Sequence, residues 1–178
     1  MSTSRILIAG FGGQGVLFTG KVLAYTGLTL DKEVSWLPSY GPEMRGGTAN
    51  CSVNVSTEQI GSPIINEPDI LIAMNQPSFD KYCDKTSKNS IIIYDSSLIT
   101  TDKKSTENCK IFGIPASQLA SDNDLLGGAN MIILGKTIKE SGIFTKEELF
   151  SAIESLVSNK KPQLLANNKK AIEIGYNL

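Results

Sequence analysis

Histidine is absent from the 178 residues of this chain. That absence excludes a Ser-His-Asp or Cys-His catalytic pair within the chain, and any metal site built on imidazole. Cysteine is scarce too. Cys51, Cys83 and Cys109 stand far apart and form no CxxC pair, which argues against an iron–sulfur cluster or a zinc site carried by this chain alone. So few thiols, odd in number, fit a reducing compartment better than a secreted disulfide scaffold, and each reads as a small buried hydrophobe. Charge of one sign is lacking as well: 17 basic residues face 18 acidic ones, for a net charge of −1. No cationic surplus is available to neutralise phosphates along a nucleic acid. Long apolar runs are missing. Met-Ser-Thr-Ser-Arg leads into Ile6-Leu7-Ile8-Ala9, too short for a signal-peptide core or a membrane span, and the expectation is a cytoplasmic protein. The length suits a single domain, residues 1–178.

What is present reads as alternating elements. Arg5 to Ala9 is a short run of β-formers, cut by Gly10-Phe11-Gly12-Gly13-Gln14-Gly15. Helical spacing follows through Val16, Gly20, Leu23 and Gly27, giving strand, glycine-rich turn, helix. Further strands are expected at Glu33–Leu37, ending at Pro38, at Thr48–Val55 with partial alternation, and briefly at Ile64-Ile65. Asp69–Met74 and Ile91–Tyr94 are continuous apolar runs of the kind buried on both faces, and Lys110–Ile114 is a last strand. Helices are expected over Gly128–Glu140, after a Thr145/Glu148 capping box, and from Pro162 onward. Residues 100–109 read as a solvated loop. The fold class that emerges is α/β, a three-layer α/β/α domain with a mixed, mostly parallel sheet and a Rossmann-like start.

Gly10, Gly12 and Gly15 satisfy G-x-G-x-x-G, where backbone amides and a helix N-terminus can hold a phosphate. The dinucleotide version also wants an acid at the end of the second strand. Here the nearest acids, Asp31 and Glu33, precede or begin it. Gly15-Val-Leu-Phe-Thr-Gly20-Lys21 resembles a Walker A loop, but Val22 replaces the hydroxyl and the periodicity puts Gly20 and Lys21 inside the helix. Gly20 and Gly27 then read as close-packing positions and Lys21 as solvated. On spacing alone the loop is equally a phosphate site and a tight turn without a ligand.

Only Arg5 and Arg45 are arginine; the other 15 basic residues are lysine. An arginine held between Glu43 and Gly46-Gly47 is a candidate for gripping a carboxylate or phosphate with its planar fork. The opposing reading is a Glu43–Arg45 pair that only shapes a bent loop.

Taken together, Gly10-Phe-Gly-Gly-Gln-Gly15 and Ser39-Tyr-Gly-Pro-Glu-Met-Arg-Gly-Gly-Thr48 resemble the γ subunit of 2-oxoacid:ferredoxin (acceptor) oxidoreductases. The resemblance continues through Ser62-Pro63, Pro68-Asp69, Ala73-Met74-Asn75, Asn130-Met131 with Gly135, and Asn168, Ala171 and Gly175. It implies a subunit of an enzyme that oxidatively decarboxylates a 2-oxoacid to an acyl-CoA. Thiamine diphosphate and iron–sulfur clusters are then expected on partner subunits (α and β, with δ in some assemblies), and ferredoxin or another acceptor takes the electrons. No catalytic residue and no metal ligand are expected on this chain. By resemblance, Gly12, Gly13, Gln14 and Gly15 meet coenzyme A or a partner loop. Arg45, Gly46 and Gly47 contact an anion, while Tyr40, Pro42 and Glu43 orient that loop or face a partner. Tyr40-Gly-Pro-Glu43 departs from the indolepyruvate branch and favours the 2-oxoglutarate, pyruvate and branched-chain groups, with 2-oxoglutarate preferred. Two other readings compete: a stand-alone phosphate- or nucleotide-binding module using the glycine loop, and a scaffold whose loops bind only protein.

Overall fold

A computed structural model describes residues 3–40, 48–105, 107–157 and 161–178. Among the described residues, six strands form one sheet in the order β2-β3-β1-β4-β5-β6. They are β1 (Thr3–Phe11), β2 (Glu33–Tyr40), β3 (Thr48–Ser56), β4 (Ile70–Ala73), β5 (Ser90–Asp95) and β6 (Cys109–Ile114). The pairs β1–β4, β4–β5 and β5–β6 are parallel; β1–β3 and β3–β2 are antiparallel. The helices are α1 (Val16–Thr29), α2 (Gln76–Tyr82), α3 (Ala116–Asp122), α4 (Ala129–Ser141), α5 (Lys146–Leu156) and α6 (Pro162–Tyr176). They lie on both sides of the mixed sheet, the expected α/β class.

Alternation along β4 shows how the layers form. Ile70 and Ile72 join the large core under α1, α3, α4, α5 and α6, whereas Leu71 and Ala73 join a smaller core with Phe79 of α2. A strand covered on both faces needs no polar positions, hence its continuous apolar run. Where α1 crosses β2 and β3, Gly20 and Gly27 bring backbone against side chain. A Cβ at Gly20 would strike Cys51 Sγ, and one at Gly27 would lie 2.8 Å from Val34 Cγ2 and 3.2 Å from Val55 Cγ1. Lys21 is exposed on that helix, away from any phosphate loop.

Three expectations are corrected. Pro38 does not end its strand, because β2 is an edge strand and the missing N–H falls where no ladder bond is required. Ile64-Ile65 joins no strand, and Ile64 is exposed. Residues 100–109 are not wholly loop: Cys109 opens β6, Lys103 pairs with Asp84 at 2.5 Å, and Ser105 Oγ accepts from the Ile111 N–H at 2.8 Å.

Candidate functional site

β1 leads through α1 to β2 and β3 on one side of the sheet. β4 leads through α2, on the opposite face, to β5 and β6 on the other side. The carboxyl ends of β1 and β4 therefore flank a topological switch point, where open α/β sheets leave a crevice. The glycine loop stands there. Gln14 ties it down: its N–H donates to the Phe11 carbonyl at 3.2 Å, its Oε1 accepts from the Phe11 N–H at 2.6 Å, and its Nε2 donates to the Met74 carbonyl at 2.8 Å. The side-chain amide that the resemblance assigned to ligand contact thus stitches the end of β1 to the end of β4.

The loop's glycines serve different needs. Gly13 and Gly15 have φ of +96° and +76°, a region that favours glycine. At Gly13 the space beyond is open, so only backbone shape demands glycine; at Gly15 a Cβ would also run into Asn130, with Cγ at 2.8 Å. Asn130, buried in the first turn of α4, donates from Nδ2 to the Gly15 carbonyl and to Thr19 Oγ1, both at 3.3 Å. The N-termini of α1 and α4 are thereby held together at the loop. Neither carries an acid in its first turn, so their unpaired N–H groups and aligned dipoles favour an anion.

A cleft of about 530 Å³ opens between these termini, Met74, α3 and the Asp124–Gly127 turn. Its size suits one end of a small-molecule ligand. Opposite the loop, Asp95 at the end of β5 is fully buried. It accepts from the Ser97 N–H at 3.0 Å, the Ser117 N–H at 3.0 Å and the Ser117 hydroxyl at 2.5 Å. Leu126, wholly exposed, stands at the rim. A second cavity of about 300 Å³ lies across the loop, against Gly12, Leu17, Phe18 and Ala49.

Of the loop residues, Gly13 and Gln14 line the cleft, whereas Gly12 and Gly15 line the smaller cavity across the loop. Tyr40 closes β2, its backbone paired with Ala49. Pro42, Glu43, Arg45, Gly46 and Gly47 lie outside the described residues. Met74, Ser117, Asp124, Leu126 and the Asp95 support were missed by sequence reasoning. One signal was available: an acid directly after the apolar Ile91–Tyr94 run marks the carboxyl end of a central strand.

The dinucleotide reading fails on topology as well as on the missing acid. β3 separates β2 from β1, so an acid ending β2 would sit two strand spacings from the loop, roughly 10 Å. Among the described residues no three His, Cys, Asp or Glu side chains come together as metal ligands. No helix among them is long and apolar enough to cross a membrane. Burial pushes the Cys51 thiol up to about 11, with a hydrogen bond from Trp36 working weakly the other way, and leaves it unreactive.

Residues 5–178 match the family model described as pyruvate ferredoxin/flavodoxin oxidoreductase. The ketoisovalerate oxidoreductase subunit VorA of Methanothermobacter marburgensis is 37% identical over 96% of this chain, which spans only 35% of that relative. The 2-oxoglutarate synthase subunit KorC of Methanocaldococcus jannaschii is 34% identical over 93% of this chain and 90% of its own length. In fold, the chain superposes on the keto/oxoacid ferredoxin oxidoreductase gamma subunit of Geobacter sulfurreducens with a TM-score of 0.82, at 26% identity, over 99% of this chain and 96% of that one. The same fold recurs within the 2-oxoglutarate:ferredoxin oxidoreductase of Magnetococcus marinus (TM-score 0.88, 24% identity, 99% of this chain and 31% of that one). With the model matched from Arg5 to the last residue, on the fold its relatives share, this chain belongs to the pyruvate ferredoxin/flavodoxin oxidoreductase family, as a domain of the gamma-subunit type.

Proposed function

We propose that the chain is the gamma component of a thiamine-diphosphate-dependent 2-oxoacid:ferredoxin oxidoreductase, as a separate subunit or as the matching region of a longer chain. Such an enzyme converts a 2-oxoacid and coenzyme A to an acyl-CoA and carbon dioxide, passing two electrons to ferredoxin or a related acceptor. The observation that carries this reading is the match along residues 5–178 to a family whose relatives act on 2-oxoacids. Thiamine diphosphate, held by partner subunits, supplies the carbanion chemistry. This chain contributes assembly and access of coenzyme A. Its described residues offer a backbone-lined anion cradle at Gly13-Gln14 and the start of α4, and no acid–base pair in which histidine takes part.

In this reading the N–H groups of the loop and of the first turn of α4 hold a phosphate of coenzyme A. Gln14 and Asn130 keep those groups in register, since each bonds two backbone or side-chain partners across elements. Arg45, oriented by Glu43 and followed in the sequence by Gly46-Gly47, supplies a further anion contact or an intersubunit pair; Tyr40 and Pro42 orient that loop or face a partner.

The substrate proposed from the second loop is 2-oxoglutarate. A second reading, 2-ketoisovalerate, draws on the higher identity to VorA proteins (37% and 38%) than to KorC proteins (30% to 34%). Anoxic native purification of the tagged chain, with mass spectrometry of the eluate and viologen reduction by each 2-oxoacid with and without coenzyme A, tests all of this. Co-purifying larger chains and coenzyme-A-dependent reduction are expected. A lone inactive chain that binds a phosphate ligand by itself would overturn the subunit reading in favour of the stand-alone module.

A further inference from the structure

The cleft is chemically polarised. At one pole stand hydrogen-bond donors: the backbone at Gly13 and the first turn of α4 at Ala129 and Asn130, with no acid in that turn. At the other pole stand Ser117 of α3 and, in the turn that follows that helix, Asp124, both lining the wall. A serine hydroxyl ordinarily offers one donor and two acceptor positions. Here its single hydrogen is committed. Asp95 is fully buried, takes that hydrogen at 2.5 Å, and is fixed in turn by the N–H groups of Ser97 and Ser117. What Ser117 presents to the cleft is therefore lone pairs only.

We propose that Ser117, held by Asp95, is a specificity-determining acceptor for a nitrogen-bound hydrogen on the ligand of this cleft. A phosphate or carboxylate placed there would meet lone pair against lone pair, with the Asp124 charge adding repulsion; a neutral N–H or NH₂ group is accepted. The two poles fix the ligand's direction. Its anionic part lies toward the glycine loop and its N–H-bearing part toward α3. Asp95 is a positioning residue: it touches no ligand, but without it the Ser117 hydroxyl regains a rotatable hydrogen and loses its preference.

This inference rests on the reading that coenzyme A enters the cleft. Coenzyme A carries the required group in two places, the exocyclic amine of adenine and the amides of its pantetheine arm. Both are the same chemistry, and the test separates them. In the assembled oxidoreductase, the apparent KM is measured for coenzyme A, for 1,N⁶-etheno-coenzyme A, whose amine hydrogens are removed, and for 4′-phosphopantetheine, which lacks the nucleotide. The variants are Ser117→Ala, Ser117→Thr and Leu126→Glu, the last placing charge on the rim.

Ser117→Ala is expected to raise the KM for coenzyme A about threefold to tenfold, the loss of one neutral hydrogen bond, with kcat unchanged. Ser117→Thr, which keeps the hydroxyl, is expected to restore it. If the penalty vanishes with the etheno compound, the adenine amine is the donor; if it persists there and with phosphopantetheine, a pantetheine amide is. Should Leu126→Glu raise the KM while Ser117→Ala changes it for none of the three, the acceptor role is wrong and the cleft reading stands. Should neither substitution move it, coenzyme A does not use this cleft and both readings fall.

Discussion

Arg5 and Asp69 illustrate how one ion pair fixes a sheet at its amino end. Asp69 Oδ2 accepts from the Arg5 N–H and Nε, both at 3.0 Å, Oδ1 accepts from Nη2 at 2.8 Å, and the Ser87 hydroxyl adds a bond at 2.7 Å. β1, β4 and the turn before β5 are joined at one carboxylate. Burial alone would push its pKa upward, but the hydrogen bonds from Arg5 and Ser87 prevail and hold it below the usual carboxylate value. A carboxyl depressed in the folded state adds stability above its unfolded pKa of about 4, and that contribution is lost as pH falls through the folded value. With the Arg5 side chain 42% exposed, screening limits the gain to about 1 kcal/mol. Asp69→Asn is thus expected to lower Tm by about 2–4 °C at pH 7 and by progressively less toward pH 3, in thermal melts across that range. A deficit that is constant with pH would place the effect in packing. Arg5 drew notice in the sequence only as a rarity, because its partner lies 64 positions away.

Among elements, α4 and α6 show what a pair of small residues permits. A Cβ at Gly135 would strike the Ile172 carbonyl, and one at Gly175 would strike the Ile132 carbonyl, so the two backbones touch along the crossing. Rigid main chain cannot give way as a side chain would, and Gly175→Ala is expected to cost about 2 kcal/mol or more in urea denaturation. Gly142→Ala is the control. That glycine has φ of +63° and open space beyond, so only backbone strain applies, about 1–2 kcal/mol. Equal losses would mean that the helices separate freely. Element by element, the sequence was readable wherever burial was large: the apolar β4 and β5, the capping box of α5 with both reciprocal bonds, and Pro162 opening α6. It was silent on α2 and α3. Each has seven residues, and each buries only two, Ser78 and Phe79 or Ala116 and Ala120, too few to print a helical period. That silence hid part of the site, since α3 forms the cleft wall and carries Ser117. The glycine loop was legible because unusual backbone needs an unusual residue; ordinary serine and leucine leave no such mark.

For the whole molecule, apolar surface left exposed at the sheet edge bears on assembly. Trp36 and Leu37 are 43% and 41% exposed on the edge strand β2, and Leu126 stands free at the cleft. Exposed aromatic and aliphatic groups on a sheet edge fit a surface covered by another chain. Trp36 is the sole tryptophan of this chain, so its fluorescence reports on that edge when the partner chains are prepared with the non-fluorescent 4-fluorotryptophan. Acrylamide is expected to quench it readily in the isolated chain and at least severalfold less in the assembled enzyme. Equal quenching would leave β2 facing water and put the subunit contact elsewhere.

The strand order also sets a timetable for the growing polypeptide. β1 occupies the middle of the sheet, yet its neighbours arrive later, β3 at residues 48–56 and β4 at 70–73. On the ribosome the edge that receives β3 stays open until about forty-five further residues have been made, and the edge that receives β4 until about sixty. α1 likewise has no β2 or β3 to receive Gly20 and Gly27. Closure of this sheet is a late, long-range event, and the nascent β1–α1 segment is the stretch that most needs shielding before it.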